Sequence, residues 1–495
     1  MNYFIGADLG TSSLKLLLVS ATGKIKAEVS REYPVCYLKS NWSEQNPDDW
    51  WNAFVSGVKE LISGVNAADV VAICVAGQMH GLVILDGEDK VIRPAILWND
   101  GRTEKQTEYL NTCFGEKNLL KHTGNIAFAG FTAPKLLWLK ENEPENFRKI
   151  SKIMLPKDYV NYKLTNVHCT DYSDASGFLL LDVQNKRWSK EMLQICSVSE
   201  SQMPTLFESY EIVGNLLPDV AKELGLREIP VCAGAGDNAG AAVGTGTVGE
   251  GGCNISLGTS GTIFISSENY TFVPGGKLHS FCHADGGFHL MGVILSAASC
   301  NKWFYEEILK STDYNGLQEE ISEDDLGENQ VFFLPYLMGE RSPINDTNTR
   351  GTFVGMTFST KRSHMVQAVL EGVAFAFRDN LEAVKAQGVN VSFATVCGGG
   401  AKSKLWQQIL ADVLNLPLSL PVTEQGPAFG AAMLSMVALK KYENVAECAK
   451  AFTKYKKTVL PNENRVLKYE KKYQKFKKIY PEMKSLFAAL QEEEI

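Results

Sequence analysis

The tetrad Leu-Gly-Thr-Ser occurs twice in this chain, at Leu9–Ser12 and again at Leu257–Ser260. Each copy lies between two short apolar runs. Tyr3–Leu9 precedes the first and Leu14–Val19 follows it. Cys253–Leu257 precedes the second and Thr262–Ile265 follows it. An apolar run, a small polar turn and another apolar run read as strand, tight turn and strand. After the turn Ala21–Lys24 a third run leads from Ile25 toward Val35, so the chain opens as an antiparallel meander. The copies stand about half the chain apart. That is the spacing of a duplicated domain.

A different pattern also occurs twice. Ile229–Ala233 reads as a strand, Gly234–Asp237 as a turn, and a helix begins at Asn238. Ala394–Cys397 reads as a strand and Gly398–Gly400 as a turn. A helix from about Ser403 to Leu414 then carries Trp406, Ile409, Leu410, Val413 and Leu414 on one face. Strands such as Val70–Val75 alternate with helical stretches such as Pro47–Leu61, which predicts α/β domains. The 495 residues exceed what one core holds and suit two. Glycine is dense at Gly244–Gly252, so we place the boundary there, with domains over 1–246 and 247–495.

Bulk properties exclude several classes. The formal net charge of −8 offers no global attraction to nucleic acid or an anionic membrane. Lys471, Lys472, Lys475, Lys477 and Lys478 share a segment with Val466, Tyr469, Tyr473, Phe476 and Tyr480 at helical spacing, which predicts a surface helix with a solvated basic face. The 11 cysteines are scattered without a C-x-x-C pair. They predict reduced thiols in the cytoplasm rather than a disulfide framework or a zinc site. Met1–Gly6 does not read as a signal peptide, and no apolar stretch is long enough to span a bilayer.

A turn of Gly, Thr and Ser between strands exposes backbone N–H groups and hydroxyls at one point, and its small residues let an anion approach. Two such turns, Gly10–Ser12 and Gly258–Ser260, one per domain, suit a triphosphate held across a cleft. Each alone is also an ordinary hairpin loop. Asp8 precedes the first turn where Ser256 precedes the second. A carboxylate beside a phosphate loop needs a cation between them, so Asp8 is the candidate for positioning Mg²⁺ through water. It is otherwise a strand-end turn residue. Lys15 reads equally as a phosphate ligand and as a solvated lysine. Gly398–Gly400 before a helix is a surface on which a nucleotide can lie. Neither a G-x-x-x-x-G-K-[ST] loop nor a well-placed G-x-G-x-x-G is present.

Transfer of a phosphoryl group to an alcohol requires removal of the alcohol proton as the oxygen attacks. Asp237, at a strand-to-helix turn beside Asn238, is the candidate base. A helix N-cap is the equally compatible role, and one residue can fill both. Gln78-Met79-His80-Gly81 and Leu97-Trp98-Asn99-Asp100-Gly101-Arg102 offer polar groups with an apolar wall for a sugar, His80 and Trp98 each having a structural reading as well.

Together these residues resemble the FGGY family of carbohydrate kinases. Gly130–Asn142 resembles its N-terminal signature, Asp8–Ser12 and Ser256–Gly261 its phosphate motifs, and Cys397–Gly400 with the following helix its adenosine motif. The resemblance implies two ribonuclease-H-like domains of the actin and hexokinase type, with a cleft between them. Further segments, among them Trp42–Gln45, Ala76–Gly81, Leu155–Tyr159, Gly236–Ala239, Ser280–Ala284 and Leu334–Arg341, are most similar to family members acting on the ketopentose D-xylulose. The resemblance implies ATP and Mg²⁺ as cofactors and Asp237 as base. It places Met79, His80, Asp237 and Asn238 on the sugar, Gly10, Thr11, Ser12, Gly258 and Thr259 on phosphate, and Gly399, Gly400 and Ser403 near adenosine. The expected partners are a ketopentose and ATP, with a homodimer compatible. A kinase of ribulose, a deoxysugar or a polyol, and a catalytically silent actin-like module, remain the alternatives.

Overall fold

The computed structural model describes residues 2–422 and 426–490. Two mixed sheets carry the chain. The first contains β1 (Tyr3–Leu9), β2 (Ser13–Ser20), β3 (Ile25–Glu32), β4 (Val70–Gly77), β5 (Ile212–Asn215) and β6 (Pro230–Gly236), in the order β5-β6-β4-β1-β2-β3. The second contains β7 (Cys253–Leu257), β8 (Gly261–Ser267), β9 (His279–Cys282), β10 (Phe288–Ile294), β11 (Ala394–Cys397), β12 (Leu418–Pro421) and β13 (Tyr455–Val459), in the order β9-β10-β8-β7-β11-β12-β13.

The two sheets repeat one pairing scheme. β1, β2 and β3 pair antiparallel, β4 runs parallel to β1, β6 parallel to β4, and β5 antiparallel to β6. In the second sheet β7, β8 and β10 pair antiparallel, β11 runs parallel to β7, β12 parallel to β11, and β13 antiparallel to β12. Six strands therefore correspond in order and direction, with β9 an added edge. This is the duplication expected from the doubled tetrad, in the form of the two ribonuclease-H-like units that the family resemblance implies. β1 and β4 are buried almost throughout, as strands covered on both faces must be, whereas β3 alternates between half-buried and exposed positions.

Seven helices bear on the site: α1 (Thr132–Asn142), α2 (Pro156–Thr165), α3 (Asp237–Gly244), α4 (Lys404–Leu414), α5 (Gly426–Ala438), α6 (Val445–Phe452) and α7 (Glu463–Ala489). The apolar face predicted for α4 is buried. The face predicted for α7 buries Tyr469, Tyr473 and Phe476, but its basic side is not uniformly solvated. Lys472 is buried and pairs with Glu371 at 2.5 Å, a carboxylate that also accepts from the Tyr469 hydroxyl.

α5 and α6 lie late in the chain yet pack with Phe4, Leu17, Ala72 and Cys74 of the first sheet. Small residues allow this approach. A Cβ at Gly6 would lie 1.9 Å from the Ala428 carbonyl, and one at Gly430 would lie 1.9 Å from the Gly240 carbonyl of α3. Backbone sits against backbone there, so neither side can yield by rotating a side chain. Gly430→Ala is expected to lower unfolding stability by about 1–3 kcal/mol through overpacking, read as a lower denaturant midpoint with an unchanged slope.

Candidate active site

Three neighbouring parallel strands deliver the central residues. Leu9 of β1 and Gly236 of β6 both stand opposite Gly77 of β4, so the three strands end at one level. The Gly10 turn, the segment Gln78–His80 and Asp237 thus all leave the sheet at its carboxyl edge, where crevices form in open α/β sheets. Gly234–Asp237 is not the turn expected from its glycines. β6 continues through Gly236, bulging between Cys232 and Ala235, and α3 starts at Asp237. Gly234 has φ 85, and a Cβ there would meet the Val75 carbonyl at 1.8 Å. That glycine serves close strand packing.

Asp237 occupies the first turn of α3, and its Oδ1 accepts from the Asn238 backbone N–H at 2.7 Å and side-chain amide at 2.9 Å. Burial pushes its carboxyl up to about 6, and the Asn238 N–H works against that shift. Asp8, at the head of β1, is pushed up to about 7, first by burial and then by the negative charge of Asp237. The two carboxylates therefore face one region. Lys15 stands directly across from Asp8 in the β1–β2 ladder and pairs with Glu28 at 3.1 Å.

A buried network fixes the strand end that carries Asp237. Lys157 of α2 is fully buried, with its Nζ 2.7 Å from Asp158, 3.1 Å from Asp171 and 3.7 Å from Asp174. It also donates to the Ala233 carbonyl of β6. Asp171 Oδ2 accepts from the Ser173 hydroxyl at 2.5 Å, and the same hydroxyl accepts the Gly236 N–H at 3.0 Å. The peptide just before Asp237 is thus tied to a lysine with three carboxylates around it. Burial pushes the Asp174 acid well up, and the charge of Lys157 works against that shift.

Met79 and His80 lie beside this strand end. A Cβ at Gly236 would touch Met79 Sδ at 3.0 Å, and one at Gly177 would meet His80 Nδ1 at 2.6 Å. His80 has φ 69. Its strained backbone is held by α1, whose Thr132 hydroxyl and buried Lys135 ammonium both donate to the His80 carbonyl, at 3.0 and 2.7 Å. The long N-terminal signature thereby acquires a physical task. His80 Nδ1 lies 2.8 Å from the Gly177 carbonyl, and burial lowers the ring to about 3. A carbonyl only accepts, so Nδ1 carries the proton and Nε2 of the neutral ring is an acceptor. The ring stacks on Phe131 with centroids 4.6 Å apart.

Both glycine turns have their carbonyls occupied by protein donors. Gly10 O accepts from the Tyr33 hydroxyl at 2.5 Å and Thr11 O from Gln45 at 2.7 Å. Gly258 O accepts from the Ala298 N–H at 2.8 Å and Thr259 O from the Ser299 hydroxyl at 2.8 Å. Such anchoring removes the lone pairs that would repel an anion. Trp98 is neither core nor remote wall. It is 46% exposed, and its indole N–H donates to Thr11 Oγ1 at 2.9 Å.

A cavity of about 650 Å³ opens beside the second turn, lined by Gly258, Thr259, Gly399, Gly400, Ser403 and Trp406 among others. That volume suits a nucleoside. A smaller cavity of about 280 Å³ brings Asn238 of α3 and Thr245 just past its end together with Ser256 and Gly398. Gly398 fits because β11 runs beside β7, with a Cβ there 3.0 Å from the Gly258 N–H. Gly398, which lines the smaller cavity with Asn238, directly precedes Gly399 and Gly400 of the larger one. Gly10, Thr11 and Ser12 line neither cavity. Ser403 caps α4, its hydroxyl accepting the Trp406 N–H and donating to Gln318 at 2.6 Å. Among the described residues no cluster of three or more His, Cys, Asp or Glu could hold a metal ion, and no helix is long and apolar enough to cross a membrane.

Lys157, Asp171, Ser173, Gly177 and Phe131 were not singled out as site residues by sequence reasoning. The available signal was the run Asp171-Tyr172-Ser173-Asp174 and the lysine inside Leu155–Tyr159. Lys157→Met would leave three buried carboxylates without their cation. It is expected to cost about 3–5 kcal/mol of stability, measured by urea unfolding at neutral pH.

Residues 3–244 match the N-terminal domain and residues 253–439 the C-terminal domain of the FGGY family of carbohydrate kinases. The chain is 42% identical to the xylulose kinase of Escherichia coli K12, over 90% of this chain and 92% of that one. It is 41% identical to the xylulose kinase of Bacillus subtilis, over 94% of each. A crystal structure of a xyloylose kinase from Brucella ovis matches with a TM-score of 0.92 at 39% identity, covering 98% of this chain and 100% of that one. Two halves built on one pairing scheme, and two family domains matched in order along them, lead to one assignment: the chain belongs to the FGGY family of carbohydrate kinases.

Proposed function

We propose that this protein transfers the γ-phosphate of ATP to the terminal 5-hydroxyl of D-xylulose, with Asp237 as general base. The observation that carries the reading is the convergence of Asp237, Asn238, Met79 and His80 at one sheet edge, together with relatives that are xylulose kinases. Residues 1–246 form the sugar side and residues 247–495 the nucleotide side. Gly399, Gly400 and Ser403 receive adenosine in the larger cavity. The phosphates run along the Gly398 strip toward Asp237, between Gly258–Thr259 and Gly10–Ser12.

The sugar lies against Met79 and His80. His80 Nε2 accepts from one hydroxyl and Asn238 orients another. Asp237 takes the proton of the attacking hydroxyl. With its pKa near 6, this carboxylate is ionised at neutral pH and still basic enough to accept the proton as the oxygen attacks. Closure of the halves excludes water, which would otherwise compete as acceptor. Mg²⁺ fits the donor set. It needs only one or two carboxylates when phosphate oxygens and water complete its shell, and Asp8, whose carboxyl feels the charge of Asp237, supplies one of them in this reading. When bound, the ion neutralises phosphate charge; Asp8 is the residue that would position it through water. The cytoplasm, where ATP and free sugar meet, is the proposed location.

A coupled ADP-release assay across D-xylulose, D-ribulose and pentitols tests the reading. D-xylulose is expected to give the highest kcat/KM, and Asp237→Ala to lower kcat by about 10²–10⁴ while sugar and ATP still bind. The sign of the pH dependence follows from the base being active when ionised. In wild type kcat/KM should fall as pH drops from about 7 to below about 6, the interval set by Asp8 and Asp237. Near-normal turnover by Asp237→Ala, or a flat profile through this interval, would reject the assignment.

A further inference from the structure

The segment Leu334–Arg341 belongs to the C-terminal half, and the mechanism leaves it without a task. Its backbone is firmly set. Ser342 N–H donates to the Val293 carbonyl of β10 at 2.9 Å. The buried Glu340 carboxylate accepts from the Leu295 N–H at 2.9 Å and the Arg341 N–H at 2.8 Å. Glu340 is thereby used on the backbone. Among the described residues no carboxylate pairs with the Arg341 guanidinium, which lies 4.3 Å from the ring of Phe128, in the N-terminal half.

Phe128 continues an aromatic wall. Its ring is 5.7 Å from Phe131, and Phe131 is 4.6 Å from His80. Phe131 is buried, whereas His80, Phe128 and Arg341 are each half-buried and keep an accessible face. The wall therefore has two ends. At one, Met79 packs against Gly236 and hence beside Asp237. At the other stands a guanidinium. The charge of Arg341 reaches His80 and His279 and lowers both rings further, while burial and Asn238 account for the shift of Asp237.

We infer that Arg341 is a substrate-binding residue that donates to the carbonyl oxygen of the ketose, at the end of the sugar remote from the hydroxyl that attacks, and so favours ketoses over polyols. This rests on the reading proposed above. In a 2-keto sugar phosphorylated at its 5-hydroxyl the carbonyl lies at the far end of the carbon chain from the base, which is where the wall ends in a cation. A guanidinium offers only donors and is met best by an acceptor-only oxygen. A hydroxyl in that place must keep its own proton out of the way, so the corresponding polyol is held less well.

The test uses full-length Arg341→Lys and Arg341→Gln with D-xylulose and with xylitol and D-arabinitol, the two pentitols formed by reducing its carbonyl. Arg341→Gln is expected to raise KM for D-xylulose about 10- to 100-fold, with the KM for ATP unchanged and the pentitols much less affected, so that ketose preference collapses. Arg341→Lys should recover part of the loss. Equal losses on ketose and pentitols, a parallel rise in the KM for ATP, or wild-type constants in Arg341→Gln would each overturn the assignment. A wild-type enzyme that ignores D-xylulose would overturn the substrate reading. The arginine assignment falls with it only if Arg341→Gln also leaves unchanged the KM of whichever sugar is accepted.

Discussion

Everything at this site depends on Lys157 being buried among three carboxylates directly behind β6. Such an arrangement stabilises the fold little in itself, because desolvation offsets much of the attraction. Its value is positional. It grips the Ala233 carbonyl and, through Asp171 and Ser173, the Gly236 N–H. The last peptide before Asp237 can then adopt one place only. A base must be held closely against its proton donor, and these bonds fix the backbone from which the proposed base extends.

The second constraint is the close approach of backbones where the halves meet. α3 begins with Asp237 and ends against α5, and the pair touches glycine to carbonyl. α3 also lines the smaller cavity beside the second hairpin. One helix therefore links the proposed base, the packing between the halves and the cavity through which the phosphates are proposed to run. On the proposed mechanism, a change in how the halves sit moves Asp237 relative to the phosphates. This gives closure a direct route to catalysis.

Much of this was legible in the chain because the signals are local. The two hairpins are short apolar runs around a small turn, and the paired sheets follow from their repetition. Asp237 was legible as the last residue of a strand-to-helix turn, beside Asn238. The buried network was not, since Lys157 meets partners drawn from α2, the Asp171–Asp174 run and β6, and periodicity says nothing about which segments meet. The glycines of Gly234–Gly236 suggested a turn because glycine marks both turns and close packing, and only the neighbouring Val75 carbonyl distinguishes the two. The apolar α5 was not singled out in the sequence. That it covers the sheet of the other half depends on tertiary fit. Trp98 was read as wall or core, yet it holds the Thr11 hydroxyl, a contact 87 residues away in sequence.

The most direct test of the account is a crystal structure of the protein with ADP, Mg²⁺ and D-xylulose. The account predicts the sugar 5-hydroxyl within about 2.6–3.2 Å of an Asp237 carboxylate oxygen, facing the nucleotide's phosphates. A sugar whose 5-hydroxyl points away from Asp237, or phosphates seated away from the Gly398 strip, would contradict it.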